Sequence, residues 1–176
     1  NASVAVATAR ASTGRFPLEE VAIAQGVSSV RWPGRLETLA VEPRTLVDAA
    51  HNPEAISALR ASLEALGLPR PRVLVFGVMA DKDWPEMLAS LVPLFDHVVL
   101  SPVSTARALD PRRAASVIAD FRPYDVTESA AEALTVARRR AGRDGAIVVT
   151  GSIFLVAELY RDCGGAEEPF DDGPTQ

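Results

Sequence analysis

Lysine is almost missing from this chain: eighteen residues are basic, yet Lys82 is the single lysine and the other seventeen are arginine. Cysteine is as scarce, with Cys163 alone, which excludes an internal disulfide and any cysteine-based zinc site. Long apolar runs are absent too. Stretches such as Val98 to Leu100 and Ala146 to Val149 fall far short of the ~20 residues of a membrane helix. Neither a signal-peptide pattern nor a glycine-rich loop ending in Gly-Lys-Ser or Gly-Lys-Thr occurs. A net charge of −5 and a pI near 5.1 argue against a general nucleic-acid binder. An intracellular, cytoplasmic protein is expected.

What is present is ordinary globular material: 176 residues, 48% hydrophobic and 23% charged, enough for one domain with its own core. The chain opens Asn1-Ala2-Ser3 without a methionine and reads as the middle of something longer. In so arginine-rich a composition, a lysine of no consequence would have drifted to arginine. Lys82 is therefore a candidate functional residue.

The pattern changes along the chain. Residues 1–11 read as a small-residue helix, and Pro17 as the first residue of a second helix, Leu18 to Gln25, ended by Gly26. Two such helices cannot form a core, so their apolar faces are expected to belong to a preceding domain. From Trp32 onward strands and helices alternate. Leu36 to Val41 and Thr45 to Ala49 read as a hairpin about Glu42-Pro43-Arg44. Helices are expected at Ala55 to Leu66, Pro85 to Val92, Pro111 to Phe121, Ser129 to Arg140 and Ile153 to Tyr160. Strands are expected at Val73 to Val78, His97 to Leu100 and Ala146 to Val149, with Tyr124 to Val126 a short edge strand. This alternation implies a Rossmann-like α/β fold, a mostly parallel sheet with one antiparallel strand and helices on both faces. The tail from residue 163, rich in Gly, Pro and acids, reads as disordered.

In open α/β sheets ligands bind beyond the carboxyl ends of the strands, and three such ends carry polar clusters. In Asp48-Ala-Ala-His51-Asn52-Pro53, Asn52 and Pro53 are explained as a helix cap and first turn. Asp48 and His51 are not: a carboxylate beside a helix N-terminus can orient a histidine or bind a hydroxyl. In Asp81-Lys82-Asp83, Asp83 suits a helix cap, and Lys82 either holds a carboxylate or phosphate or belongs to a solvated charge triplet. In Thr150-Gly151-Ser152, Ser152 either only caps the last helix or joins an anion site there. Arg107 is equally a surface charge or an anion contact, and His97 reads as structural. Together Asp48, His51, Lys82 and Ser152 would surround one anion, of which a free amino acid is one candidate.

Four segments, taken in order, resemble a known family. Trp32-Pro-Gly-Arg35-Leu-Glu37, Asp48-Ala-Ala-His51-Asn-Pro53, Phe76-Gly-Val-Met-Ala-Asp81-Lys82-Asp83 and Thr150-Gly151-Ser152 closely resemble the carboxyl-terminal portion of folylpolyglutamate synthase. In bacteria that enzyme is often also dihydrofolate synthase, and it lies within the Mur ligase superfamily. The resemblance covers residues 1–161. It departs from the family's usual residues at Ala49, where glycine is commoner, and near Phe154, where tyrosine is.

The resemblance implies an ATP-dependent amide ligase that joins L-glutamate to a reduced folate or to dihydropteroate through an acyl phosphate, with magnesium. Arg35 and Asp48 then match nucleotide contacts, as does Asn1, while His51 and Ser152 match residues handling the incoming glutamate. Lys82 is expected to touch substrate or phosphate. With no phosphate loop present, the ATPase domain and the metal ligands are expected upstream, no metal ligand is assigned here, and the 176 residues alone are expected to be inert. Residues 1–31 are then the tail of that ATPase domain and its linker, 32–162 the Rossmann-like ligase domain, and 163–176 an acidic tail. A monomer is expected. The alternatives are a Mur-type ligase acting on a peptidoglycan precursor, disfavoured by the Trp-Pro-Gly-Arg-Leu-Glu stretch, and a non-catalytic Rossmann-like binding module.

Overall fold

The computed structural model describes residues 2–12 and 14–162, so Asn1 and the stretch from residue 163 lie outside the described residues. The chain divides into two compact units, Asn1–Pro33 and Gly34–Gln176.

The first unit holds two helices, α1 (Ala2–Ala11) and α2 (Glu20–Ser29), joined by an ion pair of 2.7 Å between Arg10 and Glu20. Sequence reasoning misplaced both ends of α2. Pro17 stands before the helix in extended chain, and Gly26 lies inside it, so neither residue acts as the boundary expected. The unit buries little. Nothing in α1 is buried and only Ile23 is in α2, while Val4, Phe16, Val21, Val30 and Trp32 stand exposed.

The second unit is built on six strands: β1 (Glu37–Ala40), β2 (Arg44–Val47), β3 (Arg72–Phe76), β4 (His97–Leu100), β5 (Tyr124–Val126) and β6 (Ala146–Thr150). They lie in the order β1-β2-β6-β3-β4-β5. β1 pairs antiparallel with β2, and every other pairing is parallel. This is the Rossmann-like, mostly parallel sheet with one antiparallel strand that the alternation implied.

Helices α3 (Pro53–Leu66), α4 (Trp84–Leu91), α5 (Pro111–Ile118), α6 (Ala130–Ala141) and α7 (Ile153–Asp162) cover both faces. The period of two along each strand sorts the core. Leu74, Phe76, Val98, Leu100 and Val148 point to one face, against α3, α4 and α5. Val73, Val75, Val99, Ile147 and Val149 point to the other, against α6 and α7. Because parallel crossovers are right-handed, the chain keeps its helices on one face while stepping from β2 through β3 and β4 to β5. It changes face when α6 carries it back to β6.

Local signals fix the helix ends. Asn52 caps α3 by accepting from Ala55 N–H at 2.8 Å, and Gly67 ends it in the left-handed region at φ 56°. Asp110 and Ser129 cap α5 and α6 in the same way. Asp83, by contrast, sits at the start of α4 without a side-chain cap bond, contrary to its expected role.

His97 is structural, as its context indicated. At the amino end of β4 its Nε2 lies 2.8 Å from Asp125 Oδ2 on β5, and Arg140 donates to both oxygens of that carboxylate. These partners, Arg140 above all and then His97, hold the Asp125 carboxyl below its ordinary pKa against a smaller opposing effect of burial. A lowered folded value means that the pairing stabilises fully above the unfolded carboxylate's pKa of about 3.9 and is lost as pH falls through the folded value. Asp125→Asn is expected to flatten the acid limb of stability against pH while leaving the neutral limb parallel to that of the unsubstituted chain, measured by urea unfolding at a series of pH values.

Candidate active-site edge

The carboxyl ends of β2, β3, β4, β5 and β6 form one edge of the sheet, and every candidate side chain among the described residues lies on the segments that leave it. Two neighbouring strands set its floor. β3 leads to α4 on one face and β6 to α7 on the other, the kind of reversal beside which open α/β sheets bind ligands. Gly77 and Gly151 follow these strands directly, and their backbones press together. A Cβ on Gly151 would lie 2.6 Å from Gly77 O, and one on Gly77 would lie 2.7 Å from Ser101 O. Gly151 also has φ 110°, which L side chains rarely adopt.

Asp48 ends β2 and is almost wholly buried. Its two oxygens divide their work: Oδ1 accepts from Ala50 N–H and Oδ2 from Leu36 N–H, each at 2.9 Å. A second backbone bond, Ala49 N–H to Gly34 O at 2.8 Å, ties the same loop. That loop turns through the left-handed region twice, at Gly34 with φ 69°, which glycine permits, and at Leu36 with φ 45°, which is strained for a residue with a side chain. Between them Arg35 is exposed, with no side-chain hydrogen bond or ion pair among the described residues. An unpaired guanidinium at the apex of a firmly tied loop is suited to receive an anion.

His51 is exposed in the turn before α3, and its Nδ1 lies 2.9 Å from Ala49 O. A carbonyl only accepts, so Nδ1 carries a proton, and whenever the ring is neutral its lone pair is on Nε2. Ser152 is fully buried and accepts from Phe154 N–H at 3.1 Å, so its hydroxyl does cap α7. The segment before it is bound to the His51 turn, with Gly151 N–H donating to Ala50 O at 3.1 Å.

Lys82 lies on the exit of β3, half-buried, with no side-chain hydrogen bond or ion pair among the described residues. Its loop is joined to the exit of β4: Ala80 N–H donates to Arg107 O, Leu109 N–H to Val78 O, and Met79 bridges Ala108. Arg107, left open by the sequence, is drawn beside Asp81 at 3.4 Å. The buried Glu158 of α7 fixes the start of the β4 exit by accepting from Ser104 N–H at 2.6 Å. Sequence reasoning missed Glu158, and also Glu37 and Tyr160. The Glu158–Ser104 and Glu37–Tyr160 bonds span 54 and 123 positions and leave no local pattern.

Among the described residues no group of three or more His, Cys, Asp or Glu could hold a metal ion. The residues present therefore do not fit a resident metal, and no step is derived through one. No helix among them is long and apolar enough to cross a membrane.

The edge and its segments occur in known proteins. The family described as Mur ligase, glutamate ligase domain, matches residues 34–153. The chain belongs to that family.

Relatives of this glutamate ligase domain are named for folate chemistry. A probable bifunctional folylpolyglutamate synthase/dihydropteroate synthase of Halobacterium salinarum is 38% identical over 90% of the chain, which spans 19% of that relative. The folylpolyglutamate synthase of Lacticaseibacillus casei is 34% identical over 95% of the chain, which spans 38% of it. Among solved structures, E. coli FolC in complex with DHPP and ADP superposes with a TM-score of 0.85 at 28% identity, covering 93% of this chain and 38% of that one. The chain thus spans well under half the length of these proteins.

Gly151→Ala is expected to destabilise the domain by roughly 2–5 kcal/mol, combining a strained φ with backbone overlap. Chemical denaturation checks this, and a variant as stable as the parent would show that the two strand exits can move apart.

Proposed function

We propose that this domain is the carboxyl-terminal, glutamate-handling part of an ATP-dependent ligase that joins L-glutamate to a folate, either reduced folate or dihydropteroate. The observation that carries the proposal is the convergence of Arg35, His51 and Lys82 on one sheet edge, in a domain of the glutamate ligase family. Their support is electrostatic. Such a ligase must bring together a carboxylate, a triphosphate and a glutamate, and unpaired cations beside a helix N-terminus offset that repulsion.

In the proposed reaction the substrate carboxylate attacks the γ-phosphorus of ATP, giving an acyl phosphate and ADP. The glutamate amine, having lost a proton, attacks the acyl carbon. The tetrahedral intermediate then collapses with loss of phosphate, leaving the amide. Arg35 is assigned to the nucleotide phosphates, and Asp48 both to holding the Arg35 loop and to a nucleotide hydroxyl. His51 Nε2 is assigned to take the proton from the glutamate ammonium. Lys82 is assigned to the glutamate carboxylate or the transferred phosphate. Ser152 keeps the start of α7 in place beside them, and its backbone neighbourhood, rather than its capped hydroxyl, is assigned to the amino acid. Magnesium and the phosphate loop are assigned to an ATPase domain that is this domain's working partner, and Asn1 to that partner's nucleotide contacts.

The first test is phosphate release by the ligase with both halves present, given ATP, magnesium and L-glutamate, with dihydropteroate and tetrahydrofolate offered in parallel. Activity with either is expected, and their ratio separates the synthase from the polyglutamate-extending reaction. Silence with both, in a protein that binds ATP, would favour a peptidoglycan-type substrate. The 176 residues alone are expected to release no phosphate. His51→Ala is expected to lower turnover about 100-fold, the usual worth of a proton acceptor, with little change in unfolding midpoint.

A further inference from the structure

At one corner of the sheet, Tyr160 in the last turns of α7 reaches across to Glu37, the first residue of β1, and its hydroxyl donates to Glu37 Oε2. The same oxygen accepts from Gly34 N–H at 2.8 Å, and that N–H also lies 3.2 Å from the Tyr160 hydroxyl. Three groups separated by as many as 126 positions thus share one hydrogen-bond node, immediately beside the loop that carries Arg35.

We infer that Tyr160 and Glu37 form a positioning pair that sets the Arg35 loop for nucleotide binding. The inference rests on the reading of Arg35 as a nucleotide contact.

The left-handed φ of Leu36 persists only where the surroundings over-determine the loop. Asp48 and Ala49 hold it from the β2 side. Without Glu37 and Tyr160 the Gly34 N–H would lose its side-chain partners, and the loop would be tied from that side alone. The tyrosine is a reliable donor: burial first, and the Glu37 carboxylate second, push its pKa up to about 12. It therefore stays protonated through the neutral range.

The helix holds the tyrosine in place. α7 begins immediately after Ser152, and Tyr160 lies eight residues further on, a rise of about 12 Å along the axis. Leu155 and Leu159 are fully buried in the face that packs on the sheet, so the helix is anchored as a rod between its two polar ends. Tyr160 is thus a positioning residue that acts through Arg35 and touches no substrate itself.

The test is steady-state kinetics of the two-domain ligase carrying Tyr160→Phe, beside Arg35→Ala and Glu37→Gln, with ATP and L-glutamate varied in turn. Tyr160→Phe keeps the ring and removes one donor. It is expected to raise KM for ATP roughly three- to tenfold while kcat and KM for glutamate stay within about twofold. Amide exchange is expected to quicken at Gly34 and Leu36 and to stay unchanged in β3 and β6. Glu37→Gln retains an acceptor and is expected to show the same split more mildly; should the phenylalanine variant not fold, it carries the comparison. If Arg35→Ala raises KM for ATP and neither partner variant does, the positioning pair is overturned and the Arg35 reading stands. If Arg35→Ala leaves KM for ATP unchanged, the Arg35 reading fails and takes the pair with it. An equal loss for both substrates with a lowered melting temperature would make Tyr160 a packing residue and overturn the inference.

Discussion

A single buried carboxylate organises the functional edge of this domain. Asp48 accepts one backbone N–H from the turn that leads into α3 and one from the loop that enters β1. A buried carboxylate without donors would be costly, so the two loops and the side chain require one another. The turn brings His51, and the loop brings Arg35. Two chemically different groups therefore take their positions from one side chain that itself need not move.

The same economy operates in the backbone. A Cβ at Gly151 would meet Gly77 O at the exit of β3, and one at Gly77 would meet Ser101 O at the exit of β4, so only glycine fits at either position. That closeness lets Gly77 N–H reach Thr150 O, and Gly151 N–H reach Ala50 O in the His51 turn. The hydrogen bonding that would ordinarily end with the strands continues one residue further, across three of them. The loops bearing charge are short and anchored at each root, so their backbones are held in place before anything binds.

Much of this was legible in the residues. Every strand of the sheet was expected from apolar runs and punctuation, because a parallel strand buried on both faces must be continuously apolar, as Val73 to Phe76 are. Capping at Asn52 and Ser152 followed from residue type and position alone. Pro17 and Gly26 misled because α2 follows context rather than punctuation, and Asp83 because a residue suited to capping need not turn its side chain inward. Residue type singled out His51 and Lys82, but the tautomer at His51 depends on a carbonyl whose direction only the folded turn sets. The Glu37–Tyr160 and Glu158–Ser104 bonds were invisible, since they join segments adjacent only once β1 and α7 have docked on the sheet.

The scarcity of lysine has a practical side. Lys82 is the only ε-amine in the 176 residues, it is half-buried rather than sealed, and no carboxylate among the described residues neutralises it. An amine-selective fluorophore or isotope tag would find one side chain here, on the exit of β3. The composition that made this residue conspicuous also gives the domain a built-in reporter, whose reactivity would follow the surroundings of the β3 exit without any engineered cysteine.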